Sequence, residues 1–358
     1  MKSIIKVIYK VTAFFLLLFI LFLSYATLTD FQPKEKIQLF KQENAREITN
    51  NNFTILSWNI GYAGLGDNMD FLYDGGNKVK DTEKRTIKNL NNIIEFLSAQ
   101  GKLDFMLLQE VDVKAKRSYY INQRDSIENK FRFDSRNSMA FLSIFAYNYN
   151  VPHVPVPFTE PMGYVHSGLQ SLSKYVPTNS TRFAFPGNYS WPKSLFMLDR
   201  CFLSNRYKLK NGKELIIINT HNSAFDDGSL KKQQLESLRK YLLTEVEKGN
   251  YFVVGGDWNQ NPPGLNTNKF SKYDKSKEFK LSMINKDIFP ANWQWVFDPN
   301  IATNRSNITA YKKGESATTV LDFFLISPNL EANFITTIDL DFKNSDHQPV
   351  IMNFRIIN

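Results

Sequence analysis

At 358 residues, with 42% hydrophobic and 22% charged residues, the chain is long and apolar enough to bury a substantial core. Its one cysteine, Cys201, excludes an internal disulfide and a cysteine-built zinc site; within "MLDRCFLS" it reads as a small core residue of a strand. A formal net charge of +9 is compatible with phosphate-bearing partners or with solubility alone.

In chain order, the first element predicted is an apolar helix. Lys2, Lys6 and Lys10 precede an uncharged run from Val11 to Thr29, long enough to span a bilayer. Lysines ahead of such a run hold that end in the cytoplasm, so residues 1–29 read as a signal anchor with everything after it facing outward. Cleavage at "SYA" (Ser24 to Ala26) would instead release a secreted protein. An anchor is preferred, because the run is long for a removable signal.

Residues 30–52 are polar and read as a tether or short surface helix, and a single domain is expected over 53–358. "FTILSW" is a strand. "KRTIKNLNNIIEFLSAQG" carries Ile87, Leu90, Ile94 and Leu97 at helical spacing and stops at Gly101; "LDFMLLQE" is the next strand. This β-α-β alternation predicts a layered α/β fold. Residues 117–195 are rich in aromatics, Asn, Ser and Pro, and read as long loops around one strand, "SGLQSLS". Two strands follow, "LFMLDRCFLS" and "KELIIINTH", joined at Asn211-Gly212. A helix presents Leu235, Leu238, Leu242 and Val246 on one face. "YFVVGGDWNQNP" opens as a buried strand and turns at its glycines; a helical stretch is expected near 275–286. Three strands close the chain, in "TTVLDFFLIS", "FITTIDLDF" and "PVIMNFRI".

Polar residues stand at the ends of these apolar runs: Asn59, Glu110, Asn219 with His221, Asp257 with Asn259, Asp322, and Asp346 with His347. Each alone has a plain explanation, such as an Asn capping a turn or a packed histidine. Repeated at six successive strands, the pattern is not one that packing demands. Chemically the set suits metal-assisted attack on phosphorus. Glu110 and Asn59 are hard oxygen ligands for Mg²⁺, with Mn²⁺ as the alternative. Asp257 is placed to orient or deprotonate water, and Asn259 to hold that water or a phosphate oxygen. Two histidines can donate to the developing phosphorane, and Asp322 can fix the tautomer of one of them. His153 and His166 lack such a context. "DFLYDGGN" (70–77) reads first as a Gly-Gly turn.

In their order, "LSWNIG", "LLQEVD", "SGLQSLSKY", "IINTHNSA", "GGDWNQNP", "LDFFLIS" and "SDHQPV" resemble the endonuclease/exonuclease/phosphatase superfamily over about 54–351. That group includes pancreatic-type deoxyribonuclease, abasic-site endonucleases, neutral sphingomyelinases and inositol polyphosphate 5-phosphatases. The resemblance implies a four-layer α/β/β/α sandwich of two packed mixed sheets with the active site at one edge. It also implies roles. Glu110 resembles the principal metal ligand, with Asn59 beside it and Asp346 near the metal. Asp257 and Asn259 match the nucleophile-positioning pair. His347 matches the phosphate-contacting histidine with Asp322 orienting it, and His221 the other catalytic histidine. Asn59, Asn219, Asn259 and His347 are then the expected phosphate-binding set. One departure stands out: Gly61 occupies a position where some members carry a second acid.

Substrate is less legible. His221 and an outward-facing domain argue against abasic-site repair. The anchor and the aromatic 141–191 stretch favour a lipid head group or another small phosphodiester at an interface. Net charge and stacking aromatics would instead suit an extracellular nuclease. A non-catalytic binding module is disfavoured, since no motif position that matters is visibly lost.

Overall fold

The computed structural model describes residues 2–132, 140–224, 226–270 and 282–357. The helix expected near 275–286 lies largely outside these residues. A solitary helix, α1 (Lys2–Leu28), opens the chain; by length and composition it could cross a membrane, and its side chains are almost all exposed. The first half of the domain contains β1 (Lys36–Lys41), β2 (Asn52–Asn59), α2 (Glu83–Ala99), β3 (Phe105–Asp112), α3 (Gln123–Arg132), β4 (Leu142–Val154), β5 (Gly163–Ser173) and β6 (Asn179–Ala184). The second half adds β7 (Cys201–Lys208), β8 (Glu214–His221), α4 (Ser229–Glu247), β9 (Tyr251–Asp257) and β10 (Gln294–Val296). It closes with β11 (Asn304–Arg305), β12 (Thr318–Thr319), β13 (Asp322–Ile326), β14 (Leu330–Thr337) and β15 (Val350–Ile356).

Two large mixed sheets form, one ordered β14-β15-β2-β3-β5-β4 and the other β1-β6-β7-β8-β9-β13-β10. Alternation along each strand explains why they stack. Phe53 and Ile55 of β2 join Phe105, Leu107, Leu215, Ile217, Val253 and Phe324 in the core between the sheets. Leu56 and Trp58 point the other way, onto Leu90, Ile93 and Leu97 of α2. On the far side, Leu235, Leu238 and Leu242 of α4 cover Ile216, Ile218, Phe252 and Val254. Helix, sheet, sheet and helix make the four layers.

Local readings shift in three places. The buried stripe of α2 runs through Leu90, Ile93 and Leu97, while Ile87 is exposed. The stretch read as long loops contains β4, a thirteen-residue edge strand that accommodates Asn148 and Pro152 at register shifts against β5. The segment read as a tether contributes β1, which pairs antiparallel with β6 and forms a sheet edge. Its polar composition fits a strand whose faces are mostly in solvent.

Topology decides where the site falls. β2 and β3 run parallel, as do β8 and β9, so four strands deliver their C-terminal residues to one edge. β13 is antiparallel to β9 in a register that sets Asp322 directly opposite Asp257. β15 is antiparallel to β2, which brings the residues just before it to the same edge.

Candidate active site

Asn59, Glu110, His221, Asp257, Asn259, Asp322, Asp346 and His347 converge at that edge, and all but Asn59 and Asp322 line one pocket of about 1080 Å³. Asn59 Nδ2 donates to Glu110 Oε1 at 3.1 Å and to Asp257 Oδ2 at 3.0 Å, so a buried amide ties the ends of three strands together. Its Oδ1 accepts from Gly61 N at 3.0 Å. Glu110 sits in a bulge of β3 with φ of 54°, a left-handed conformation that turns its carboxylate out of the ladder toward the pocket.

His347 Nδ1 lies 2.7 Å from Asp322 Oδ2, and the Asn304 side-chain amide, which can turn its oxygen to a charged ring, lies 2.9 Å from Nε2. Burial opposes charge on His347, but Asp322 and Asp257 outweigh it and raise the pKa well above its ordinary value. His221 behaves oppositely. Burial, then Arg200, His347 and Arg117, push its pKa well down, so the ring is neutral. Its Nε2 stands 3.5 Å from Asp257 Oδ2. Burial raises Asp257 to about 6 against the lowering pull of His347. One imidazolium, one neutral imidazole and an acid that ionises just below neutrality therefore share a small volume, a separation of roles typical of acid–base sites.

Asn219 departs from the expected set. It is fully buried between the sheets, where Nδ2 donates to Leu108 O and Gln170 O at 3.0 and 3.2 Å and Oδ1 accepts from Gln109 Nε2 at 2.7 Å. Its groups are consumed in joining β3, β5 and β8, leaving none for a phosphate. Trp258 is likewise structural: fully buried, it stacks on Phe323 and donates Nε1 to Phe323 O at 3.0 Å. Asn259, at φ of 50°, donates Nδ2 to Asn222 O at 2.9 Å, and its backbone N donates to Asp257 Oδ1 at 2.9 Å.

Several pocket residues escaped the sequence reading. Asp74, from the 70–77 turn, accepts from Asn307 Nδ2 at 2.9 Å, and the same nitrogen donates to Asp346 Oδ2 at 2.6 Å. Burial, reinforced by Asp346 and Glu110, pushes Asp74 up to about 7 despite the Asn307 bond. Arg117, buried on Asp112, covers the Tyr62 ring at 3.7 Å. Arg200 lines the pocket near His221 and Asp257.

Two groups could hold a cation. Asp257, Asp322 and His347 present ligand atoms within 4.8 Å of one another. The His347–Asp322 hydrogen bond disfavours a metal there, because the imidazolium is itself the cation those two acids enclose. Glu110, Asp346 and Asn59 supply hard oxygens instead, and Asp74 adds a carboxylate. Asn307 Oδ1 is buried without a hydrogen-bond partner, on the amide whose Nδ2 bonds Asp74 and Asp346. This donor chemistry fits a hard divalent ion. A side chain at Gly61 would meet Asp346 Oδ1 at 2.8 Å, so the acid missing at 61 has no room, and Asp74 enters from another loop.

The family model for the endonuclease/exonuclease/phosphatase family matches residues 56–347. Among solved structures, the chain is similar to the endonuclease/exonuclease/phosphatase from Beutenbergia cavernae DSM 12333, with a TM-score of 0.56 and 17% identity over 86% of this chain and 72% of that one. An endonuclease/exonuclease/phosphatase family protein from Leptotrichia buccalis C-1013-b gives 0.53 and 12%, covering 84% and 98%. The human Nocturnin catalytic domain with bound sulfate anion gives 0.52 and 15%, covering 88% and 97%. At these identities the likeness concerns the fold. No curated protein matches the chain.

Proposed function

The chain belongs to the endonuclease/exonuclease/phosphatase family, whose members are phosphoric ester hydrolases, and from that premise we propose a Mg²⁺-dependent phosphodiesterase, anchored by α1, that acts on lipid head groups or other small phosphodiesters outside the cytoplasm. The observation that carries the reaction class is geometric: His221 and His347 flank Asp257, their Nε2 atoms 3.5 and 3.7 Å from its Oδ2, in surroundings that push the two rings' pKa values in opposite directions.

Glu110, Asp346 and Asn59, with Asp74 beside them, would hold the cation. When bound, the ion would neutralise phosphoryl charge and stabilise the leaving oxygen. Asp257 accepts the proton of the attacking water, which Asn259 helps to hold. His347 donates from Nε2 to a phosphoryl oxygen while Asp322 keeps its Nδ1 engaged, and neutral His221 orients the water beside Asp257.

For the substrate, the support lies at the pocket wall. Phe22 of α1 stacks on Phe196 with ring centroids 5.9 Å apart, and Trp191 Nε1 donates to Thr27 Oγ1 at 3.3 Å. Phe196 lines the pocket, and Trp191 and Phe158 are 60% and 89% exposed. Apolar tips beside an apolar helix suit a membrane surface.

The full-length protein in detergent, assayed with Mg²⁺ on sphingomyelin liposomes, soluble inositol phosphates and plasmid DNA, tests the reading. Hydrolysis of a lipid or small ester that stops in chelator and in His221→Ala and His347→Ala is expected. Rapid plasmid nicking that disappears in both variants would make the protein a nuclease, the alternative its net charge of +9 allows.

A further inference from the structure

The pocket is larger than a phosphate needs. Its volume of about 1080 Å³ stands at the upper end of the roughly 300–1,000 Å³ that holds a drug-sized ligand. Besides the catalytic groups, its lining includes Tyr73, Val154, Val156, Met162, Phe196 and Leu198. All of these but Val156 belong to one apolar cluster. Two hydroxyls of that cluster are spent inward: Tyr73 Oη donates to Val156 O, and Tyr149 Oη donates to Phe196 O at 3.1 Å. The wall therefore offers carbon to the pocket, and Val156 stays 49% exposed. A polar head group gains nothing from such a wall, whereas a hydrocarbon chain gains by leaving water.

Helix α1 supplies the direction from which a chain would arrive. Phe22 stacks on Phe196 with ring centroids 5.9 Å apart and planes 3° from parallel, and it meets the His153 ring edge-on at 6.4 Å. Ala26, one turn on, is the one residue of the helix that is buried. The end of a helix long and apolar enough to cross a membrane thus touches a side chain that lines the pocket. In the anchored orientation proposed above, that end lies at the outer leaflet, the depth at which hydrocarbon chains begin.

We propose that this wall binds a hydrocarbon chain of the substrate, so that the ester is a lipid drawn part-way out of the leaflet past Phe196 and held by chain as well as head. The proposal rests on the phosphoester reading of the site and narrows it to amphiphiles whose chain enters the pocket.

The test measures binding of methylphosphonate and hexylphosphonate, whose C–P bond resists hydrolysis, to the full-length protein with Mg²⁺ by calorimetry. The protein is held in amphipol, with protein-free amphipol as the blank, so that no free detergent chain competes. Each methylene that enters the wall should strengthen binding about fourfold, which puts hexylphosphonate at least roughly 50-fold ahead of methylphosphonate. Met162→Gln and, at the more exposed position, Val156→Asn should each cut that gain at least fivefold while leaving methylphosphonate affinity within threefold of wild type. A wild-type gain below fivefold, a full gain kept in both variants, or no binding of either phosphonate would overturn the assignment. Adenosine monophosphate outbinding hexylphosphonate would also overturn it, by giving the wall to a nucleobase. A chain gain in a protein that hydrolyses no lipid would leave this site standing and defeat the proposed function alone. A lipid hydrolase that binds both phosphonates equally would do the reverse.

Discussion

His347 holds Asp322 at 2.7 Å through Nδ1, while the strand register places Asp322 opposite Asp257, whose Oδ2 lies 3.7 Å from Nε2 of the same ring. One imidazole thus separates two buried acids.

The first prediction concerns pH. The rate should rise with the ionisation of Asp257 at about 6, and fall when His347 loses its proton, well above the ordinary histidine value. Asp322→Asn removes an acid that raises His347, so the alkaline limb moves down toward neutrality and kcat/KM drops about 10²-fold. Stability carries the same sign. A raised pKa in the folded state stabilises fully below the unfolded value of about 6.5 and is lost as pH climbs through the folded value. Profiles of kcat/KM and melting midpoint against pH measure both; an unmoved alkaline limb would show that His347 is not the acid.

Metal affinity should separate Glu110 from Asp74. Glu110→Gln is expected to lower turnover by orders of magnitude with little change in melting midpoint, because the side chain faces the pocket rather than the core. Asp74→Asn should weaken Mg²⁺ binding by roughly 10-fold, as loss of a supporting carboxylate does. Turnover and thermal melting check the first expectation, and Mg²⁺ titrations followed by calorimetry the second. Wild-type Mg²⁺ affinity in Asp74→Asn would remove Asp74 from the metal environment.

Arg117 is a stability residue beside the site. Its guanidinium is bidentate on Asp112, both groups are buried, and Ser118 Oγ donates to the same carboxylate at 2.7 Å. Arg117→Ala strands that acid and should cost about 3–5 kcal/mol in chemical denaturation. A loss under about 1 kcal/mol would mean that water reaches Asp112 freely.

Orientation can be read on intact cells. Lys2, Lys6 and Lys10, ahead of the uncharged run of α1, predict that added protease digests the catalytic domain without lysis. Protection until lysis would place the domain inside.

The convergence of these residues was legible because parallel strands end together: side chains at the ends of β2, β3, β8 and β9 had to meet wherever the sheets stacked. Asn219 shows the limit of that logic. It shares a face with His221 two residues on, and only the position of the sheet edge decides that one stays between layers while the other emerges. Asp74, Arg117, Arg200 and Asn307 arrive from loops or strand starts, where no periodicity reports which way a side chain turns. β4 was hidden because edge strands tolerate the Asn and Pro that would break a central one.

The pairing of β1 with β6 sets a working radius. Residues 29–35 separate Leu28, the end of α1, from Lys36, the start of β1. That stretch of chain extends at most roughly 26–29 Å. If α1 is anchored as proposed, the surface that holds it keeps the start of the catalytic domain within that reach. Under the proposed anchoring, the pocket would sample substrates held in that surface by lateral diffusion while soluble esters reach it from bulk.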